Sequence, residues 1–310
     1  MQKEFVSIII PTYNVEKYIG FALNSLCQQS YKNFEVIIID DGSTDSTIQL
    51  ISDFRSKLNI NLVQNPHTGN IGSLRNLGIE LSNGKYIHFL DSDDMWEPGK
   101  LEITQKYFAK GYDLICTNGK IVDANNLVLK EKMYDSKNFD LIIKLYQLVK
   151  DNFITTSAAV KKEILTADMR FEQEEGCNAE DYALWLKIIE KFSGYFIDES
   201  LVNIRIHSSN ISFRSPERRI GMLNGTIALR KKYFNYNDPK VREGARSGCN
   251  PLYKELSIIY LKKKDYDNAY RNLSLMTFKD SQLSFKSYMI LGIIYWILYV
   301  INLTKKSKIS

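Results

Sequence analysis

The sequence predicts an α/β fold with a mostly parallel central sheet flanked by helices, plus an α-helical C-terminal region. Three observations predict it. Continuous apolar runs at 5–10 and 34–39, rich in Ile, match strands buried on both faces. Segments with apolar residues at helical spacing separate such runs through the first 120 residues. From Pro216 onward only helical patterning continues.

The elements follow in order. Phe5–Ile10 is a strand, and 15–29 a helix with Tyr18, Ile19, Ala22 and Leu26 on one face. Phe34–Ile39 is the second strand. A helix over 47–58 follows the capping residues Ser43, Thr44 and Asp45. A short strand at 60–63, a helix at 71–81 and a strand at 85–90 come next. Another helix begins near Pro98, a favoured first helical position, and a strand covers 113–117. Strand and helix alternate, as in a parallel α/β sheet. Residues 120–215 are mixed: helices at 139–149 and 180–191, strands at 157–160, 195–197 and 201–206. The last region reads as helices at 217–234, 251–263, 267–277 and 283–303. We therefore expect two domains, 1–215 and 216–310.

Composition excludes whole classes. The 310 residues are 44% hydrophobic and 25% charged, which rules out a disordered tail, a collagen and a polytopic membrane protein. Four scattered cysteines (Cys27, Cys116, Cys177, Cys249) form no Cys-x-x-Cys pair, so zinc ribbons and thioredoxin-type motifs are excluded. Their scatter fits a reducing compartment. The run at 5–10 is too short for a signal-peptide core, so the chain reads as cytoplasmic. The net charge of +5 is uneven: residues 201–310 hold 20 Lys and Arg against 7 Asp and Glu, leaving the first 200 residues at −8. No motif links the basic tail to nucleic acid.

Ligands bind α/β sheets at the carboxyl ends of the parallel strands. Three such ends are polar here: Pro11-Thr12-Tyr13-Asn14, Asp40-Asp41-Gly42-Ser43 and Asp91-Ser92-Asp93-Asp94. Three carboxylates within four residues repel one another unless a cation neutralises them. Hard oxygen ligands in a short turn suit Mg²⁺ or Mn²⁺ shared with phosphate oxygens. The plain alternative is a solvated acidic turn capping the next helix. Neither Gly-x-Gly-x-x-Gly nor Gly-x-x-x-x-Gly-Lys-Ser/Thr occurs, which argues against dinucleotide redox enzymes and P-loop ATPases. Asp41 is placed to accept from a base N–H and Tyr13 to stack on that base. Their plain alternatives are a turn residue and packing.

At these residues a family resemblance emerges. VSIIIPTYNVEKYIGFALNSLCQQSYKNFEVIIIDDGSTDST resembles the opening of a family 2 glycosyltransferase of the GT-A nucleotide-sugar-binding fold. LRNLGIELSNGKYIHFLDSDD resembles that family's Arg-Asn-x-Gly helix and Asp-x-Asp strand end. AEDYALWLKI resembles its Glu-Asp helix start, and IRIHSSNIS its later Arg-x-His motif. The resemblance covers residues 5–213.

It implies an inverting, metal-dependent transfer of a hexosyl or N-acetylhexosaminyl group. The donor would be a nucleotide-diphosphate sugar, with UDP expected. The acceptor would be a hydroxyl of a lipid-linked or oligosaccharide molecule in surface polysaccharide (O-antigen or capsule) biosynthesis. Pro11, Tyr13 and Asp41 would hold the base, with Arg75, Asp91 and Ser92 near the nucleotide. Asp93 and His207 would hold Mn²⁺ or Mg²⁺, and Asp181 would be the catalytic base. Glu180 and Arg205 would contact acceptor or phosphate, and Trp96 is a candidate to stack on a sugar face with core packing as its plain alternative. Asp181 and Glu180 also suit the first turn of a helix for dipole reasons alone. Arg75 has a surface ion pair as its plain reading. A catalytically inactive nucleotide-sugar-binding scaffold and a sugar nucleotidyltransferase are the competing readings.

The end of the chain adds a membrane expectation. Residues 287–304 are 18 residues without a charge, followed by Lys305, Lys306 and Lys308. A helix there spans about 27 Å, the lower limit for a bilayer. Lysines on both flanks favour a helix lying in the inner leaflet, with the protein peripheral on the inner face of the cell membrane. The alternative is a terminal helix packed on protein, in the tail itself or in a homodimer.

Overall fold

The structure is a computed structural model that describes residues 4–138, 140–154, 157–172, 179–208 and 215–276. The chain divides into two compact units, 1–148 with 152–210, and 149–151 with 211–310.

The first unit is a nine-stranded sheet with helices packed against it. Its strands are β1 (Val6–Thr12), β2 (Phe34–Asp40), β3 (Ile60–Gln64), β4 (Tyr86–Phe89), β5 (Met95–Trp96), β6 (Leu114–Val122), β7 (Val128–Lys130), β8 (Ala159–Lys161) and β9 (Gly194–Arg205). The order is β3-β2-β1-β4-β8-β6-β9-β5, with β7 paired to β6. The front half, β3-β2-β1-β4, is parallel throughout, as is the long β6–β9 pair. The antiparallel pairings are β4–β8, β6–β8, β6–β7 and β5–β9. Every residue of β1, β2 and β4 is buried, as their largely apolar runs predict.

The helices of this unit are α1 (Ile19–Cys27), α2 (Thr47–Ser52), α3 (Ile71–Leu81), α4 (Lys100–Phe108), the first four residues of α5 (Leu145–Lys150) and α6 (Glu180–Lys191). One core cluster joins Ile8, Ile10, Val36 and Ile38 of the sheet to Ile19, Leu23 and Leu26 of α1 and Leu101 of α4. The opposite side of β2 packs Ile37 and Ile39 on Leu74 of α3. Gly78 lets α3 approach β1 so closely that an added Cβ would collide with the Ile9 side chain.

Several expected bounds move. The helix expected over 139–149 begins only at Leu145, because Ile143 donates to the Gly194 carbonyl and Ile142 bridges Tyr195. Phe139 lies outside the described residues. The two strands expected at 195–197 and 201–206 are one strand, β9, whose register against β6 shifts around Asn118. The short β5 and β7 were not expected at all.

The second unit is helical. Its helices are α7 (Pro216–Lys231), α8 (Pro239–Lys262) and α9 (Tyr266–Ser274). Ser215, Asp238 and Asp265 cap them by accepting from backbone N–H groups. Leu223 and Ile227 of α7, Tyr253 and Leu256 of α8, and Ala269 and Leu273 of α9 share one core. We expected α8 to start at Pro251. It starts twelve residues earlier, at Pro239, and carries Pro251 inside it. Among the described residues no helix is long and apolar enough to cross a membrane. The segments expected at 283–303 and 287–304 lie outside the described residues.

Candidate functional site

The sheet register puts the polar strand ends along one edge. Thr12 of β1 pairs with Asp40 of β2, which pairs with Gln64 of β3. The residues that follow, Tyr13, Asp41 and Asn65, therefore leave the sheet side by side. β4 delivers Asp91 next to them, with Leu90 still bonded to Ile9 of β1.

Arg75 organises the centre of the site. Its guanidinium donates to Asp91 Oδ1 through Nη2 and to Glu180 Oε1 through Nη1, both at 2.9 Å. It is 2% exposed. Desolvation works against its charge, but Asp91, Glu180 and Asp181 together hold its pKa above the usual value. The surface ion pair considered from sequence is thus a buried three-way bridge. Asn76 exchanges two hydrogen bonds with the Phe171 backbone, which fixes the helix that carries Arg75.

Asp181 begins α6 beside Glu180. Burial raises its pKa to about 7, Glu180 adds to the rise, and Arg75 opposes it. A carboxyl group poised there exchanges a proton readily near neutral pH.

Asp93 and His207 face each other, with Nε2 3.0 Å from Asp93 Oδ2. Burial raises the Asp93 pKa, Asp91 adds to it, and His207 opposes it. Asp94 is 4% exposed and is raised further, by burial and by its two acidic neighbours, although the Arg205 backbone N–H donates to it. Among the described residues no group of three His, Cys, Asp or Glu gathers as a metal cage.

Asp41 is 2% exposed. Its Oδ1 accepts from the Thr68 N–H and hydroxyl, and its Oδ2 accepts from the Gly69 N–H. His67 Nδ1 lies 2.7 Å from the same Oδ2, and the His67 ring stacks on Tyr13 with centroids 4.1 Å apart at 15°. Pro11 is buried within β1, and Ser92 is partly buried in the acidic turn.

Two expected contacts are corrected. Trp96 is 3% exposed in the core, with its ring edge-on to His88 and Lys100 above it. It has no face to offer a sugar. The Arg205 side chain is a strut: Nε donates to the Asp93 carbonyl, Nη1 to the Asp123 and Ala124 carbonyls, and its plane lies over Tyr18 and Phe21. It steadies Asp93 through the backbone.

Sequence reasoning missed His67 and Thr68. The available signal was their position just beyond β3, whose carboxyl end shares the edge already marked by Tyr13 and Asp41.

The family model described as Glycosyl transferase family 2 matches residues 7–167. The chain belongs to this family. An uncharacterized glycosyltransferase of Rickettsia felis is 30% identical over 274 residues, 85% of this chain and 42% of its own length. The chain thus spans less than half of that relative. The poly(ribitol-phosphate) beta-N-acetylglucosaminyltransferase TarS of Staphylococcus aureus is 44% identical over 91 residues, 28% of this chain and 16% of its own length. Residues 1–349 of S. aureus TarS, crystallised in complex with UDP-GlcNAc, superpose with a TM-score of 0.68 at 20% identity, over 89% of this chain and 82% of that one. At that identity the likeness shows the fold, the GT-A fold with its large, mostly parallel sheet.

Proposed function

We propose that this family 2 protein is an inverting glycosyltransferase. It moves a hexosyl or N-acetylhexosaminyl group from a nucleotide-diphosphate sugar, UDP-linked, to a hydroxyl of a lipid-linked or oligosaccharide acceptor in surface polysaccharide synthesis. One arrangement carries the reading. Asp93 faces His207 at the same sheet edge where Asp91, through Arg75, is tied to Glu180 beside Asp181. The UDP-GlcNAc complex of TarS supports the donor class.

The Asp93–His207 pair fits Mn²⁺ or Mg²⁺. Burial and the nearby Asp91 carboxylate both raise the Asp93 pKa, so a cation there would favour the charged ligand form, and two protein ligands leave room for diphosphate oxygens and water. A divalent cation held there supplies neutralisation of the charge on the leaving diphosphate. The chain supplies the rest. Tyr13 and Asp41 hold the base. Arg75, bonded to Asp91, orients it toward the ribose. Asp181 takes the proton of the acceptor hydroxyl. One base opposite the leaving group makes the displacement in-line, with inversion at the anomeric carbon.

The basic tail and the apolar segment 287–304 support a peripheral position on the inner membrane face, next to a lipid-linked acceptor. The test is thermal stabilisation of the purified protein by a panel of nucleotide diphosphates and nucleotide sugars, each with Mn²⁺ and with EDTA. A metal-dependent rise in Tm for one nucleotide is expected. No rise with any of them would sink the donor assignment. All activity staying in a detergent-free supernatant would sink the membrane position.

A further inference from the structure

The Tyr13–His67–Asp41 cluster holds more than a base site. We infer that the His67 imidazole is an internal plug of the nucleotide-base slot, which the donor must displace in order to bind. The inference rests on the reading of Tyr13 and Asp41 as base-holding residues.

The geometry imitates a bound base in two respects. A planar heterocycle lies face to face on Tyr13, 4.1 Å away and 15° from parallel. Its Nδ1 donates to the Asp41 backbone carbonyl at 3.1 Å and sits 2.7 Å from Asp41 Oδ2. A carbonyl and a carboxylate only accept, so that nitrogen carries the proton. Uracil and guanine make the same two contacts with an aromatic face and a ring N–H.

The cluster is also built for exchange. Asp41 is buried, and its other partners come from the loop itself: the Thr68 N–H and hydroxyl and the Gly69 N–H. These fix the loop backbone without help from the imidazole. Gly42 adds a second lock, because its φ of +75° and the nearby His67 backbone N–H leave no space for a side chain. The His67 side chain is by contrast half exposed. It can swing outward while Thr68 and Gly69 keep hold of Asp41. An incoming base then takes over one hydrogen bond and one stack, so its net gain is small. A site blocked most of the time binds more weakly in proportion to its open fraction.

The experiment is calorimetric titration of UDP, with GDP in parallel, into the full chain and its His67→Ala variant in Mn²⁺ buffer. The expected result is a Kd about five- to tenfold lower for H67A. The second readout is the ¹⁵N signal of His67, identified by its loss in H67A among only three histidines. UDP should move that signal as Nδ1 leaves the Asp41 carbonyl and carboxylate. An unchanged or higher Kd in H67A, or a His67 signal that UDP leaves in place, overturns the plug while leaving the donor assignment standing. Failure of both proteins to bind either nucleotide overturns the donor assignment and the plug together.

Discussion

Arg75 holds Asp91 and Glu180 at equal distance, 2.9 Å from each carboxylate. The first lies at the end of β4, the second at the start of α6, so one side chain sets the spacing between the acidic turn and Asp181. Lys offers a point charge and cannot reach both carboxylates with a planar fork. Arg75→Lys should lower kcat by about 100-fold while the fold survives. Arg75→Met should destabilise by about 1–3 kcal/mol, because two partly buried carboxylates lose their cation. Denaturant unfolding alongside steady-state kinetics checks both.

Asp181 is expected to act ionised. With its pKa near 7, the rate should climb as pH rises through about 7 and level off above it. Asp181→Asn should remove about 10²–10⁴-fold in kcat and flatten that limb. Turnover above a tenth of the wild-type rate in this variant would end the role of Asp181 as the base.

Asp93→Asn should abolish the Mn²⁺-dependent part of nucleotide binding and leave the fold intact, since Asn keeps the size of the side chain and Arg205 holds the backbone carbonyl. EDTA should have the same effect on the unmodified protein. A thermal scan with UDP, with and without Mn²⁺, reads both; a full Mn²⁺-dependent shift in D93N would place the metal elsewhere.

Lys100 carries a stability prediction away from the site. It is fully buried, donates to the Ser157 carbonyl at 3.0 Å, and burial lowers its pKa to about 7. In the unfolded chain its pKa is about 10.4. Between these values the unfolded state holds a proton that the folded state has released, so stability rises with pH from about 7 to about 10. Lys100→Met should remove that rise, worth at most about 5 kcal/mol, and be more stable than the parent at pH 6. Chemical denaturation at pH 6 and pH 10 measures the difference.

The Gly78 contact is a packing prediction. Gly78→Ala should cost about 1–3 kcal/mol, because the new methyl meets Ile9 in a fully buried strand. A neutral substitution would mean that α3 can move off β1.

Much of this was legible in the chain itself. The Ile-rich runs had to be internal parallel strands, because apolar side chains on both faces can be covered only inside a layered α/β unit. Asp41, Asp91 and Asp93 followed from where such strands end. What misled was context. Trp96 reads equally as a sugar platform or a core residue until its burial is known. Pro251 reads as a helix start, although Asp238 and Pro239 had already begun that helix. Arg205 reads as a phosphate ligand until three carbonyls claim its guanidinium.

The sequence by itself determined the α/β class, the polar strand ends and the residue types that gather there, because period and charge are local properties. Only the tertiary structure decided which of them meet. Arg75 and Glu180 are 105 residues apart in the chain, Asp93 and His207 114. His67 reaches Asp41 and Tyr13 only because β3 lies beside β2 in parallel register. Those encounters depend on the order of the strands in the sheet, and strand order is fixed by packing that no local pattern in the sequence records.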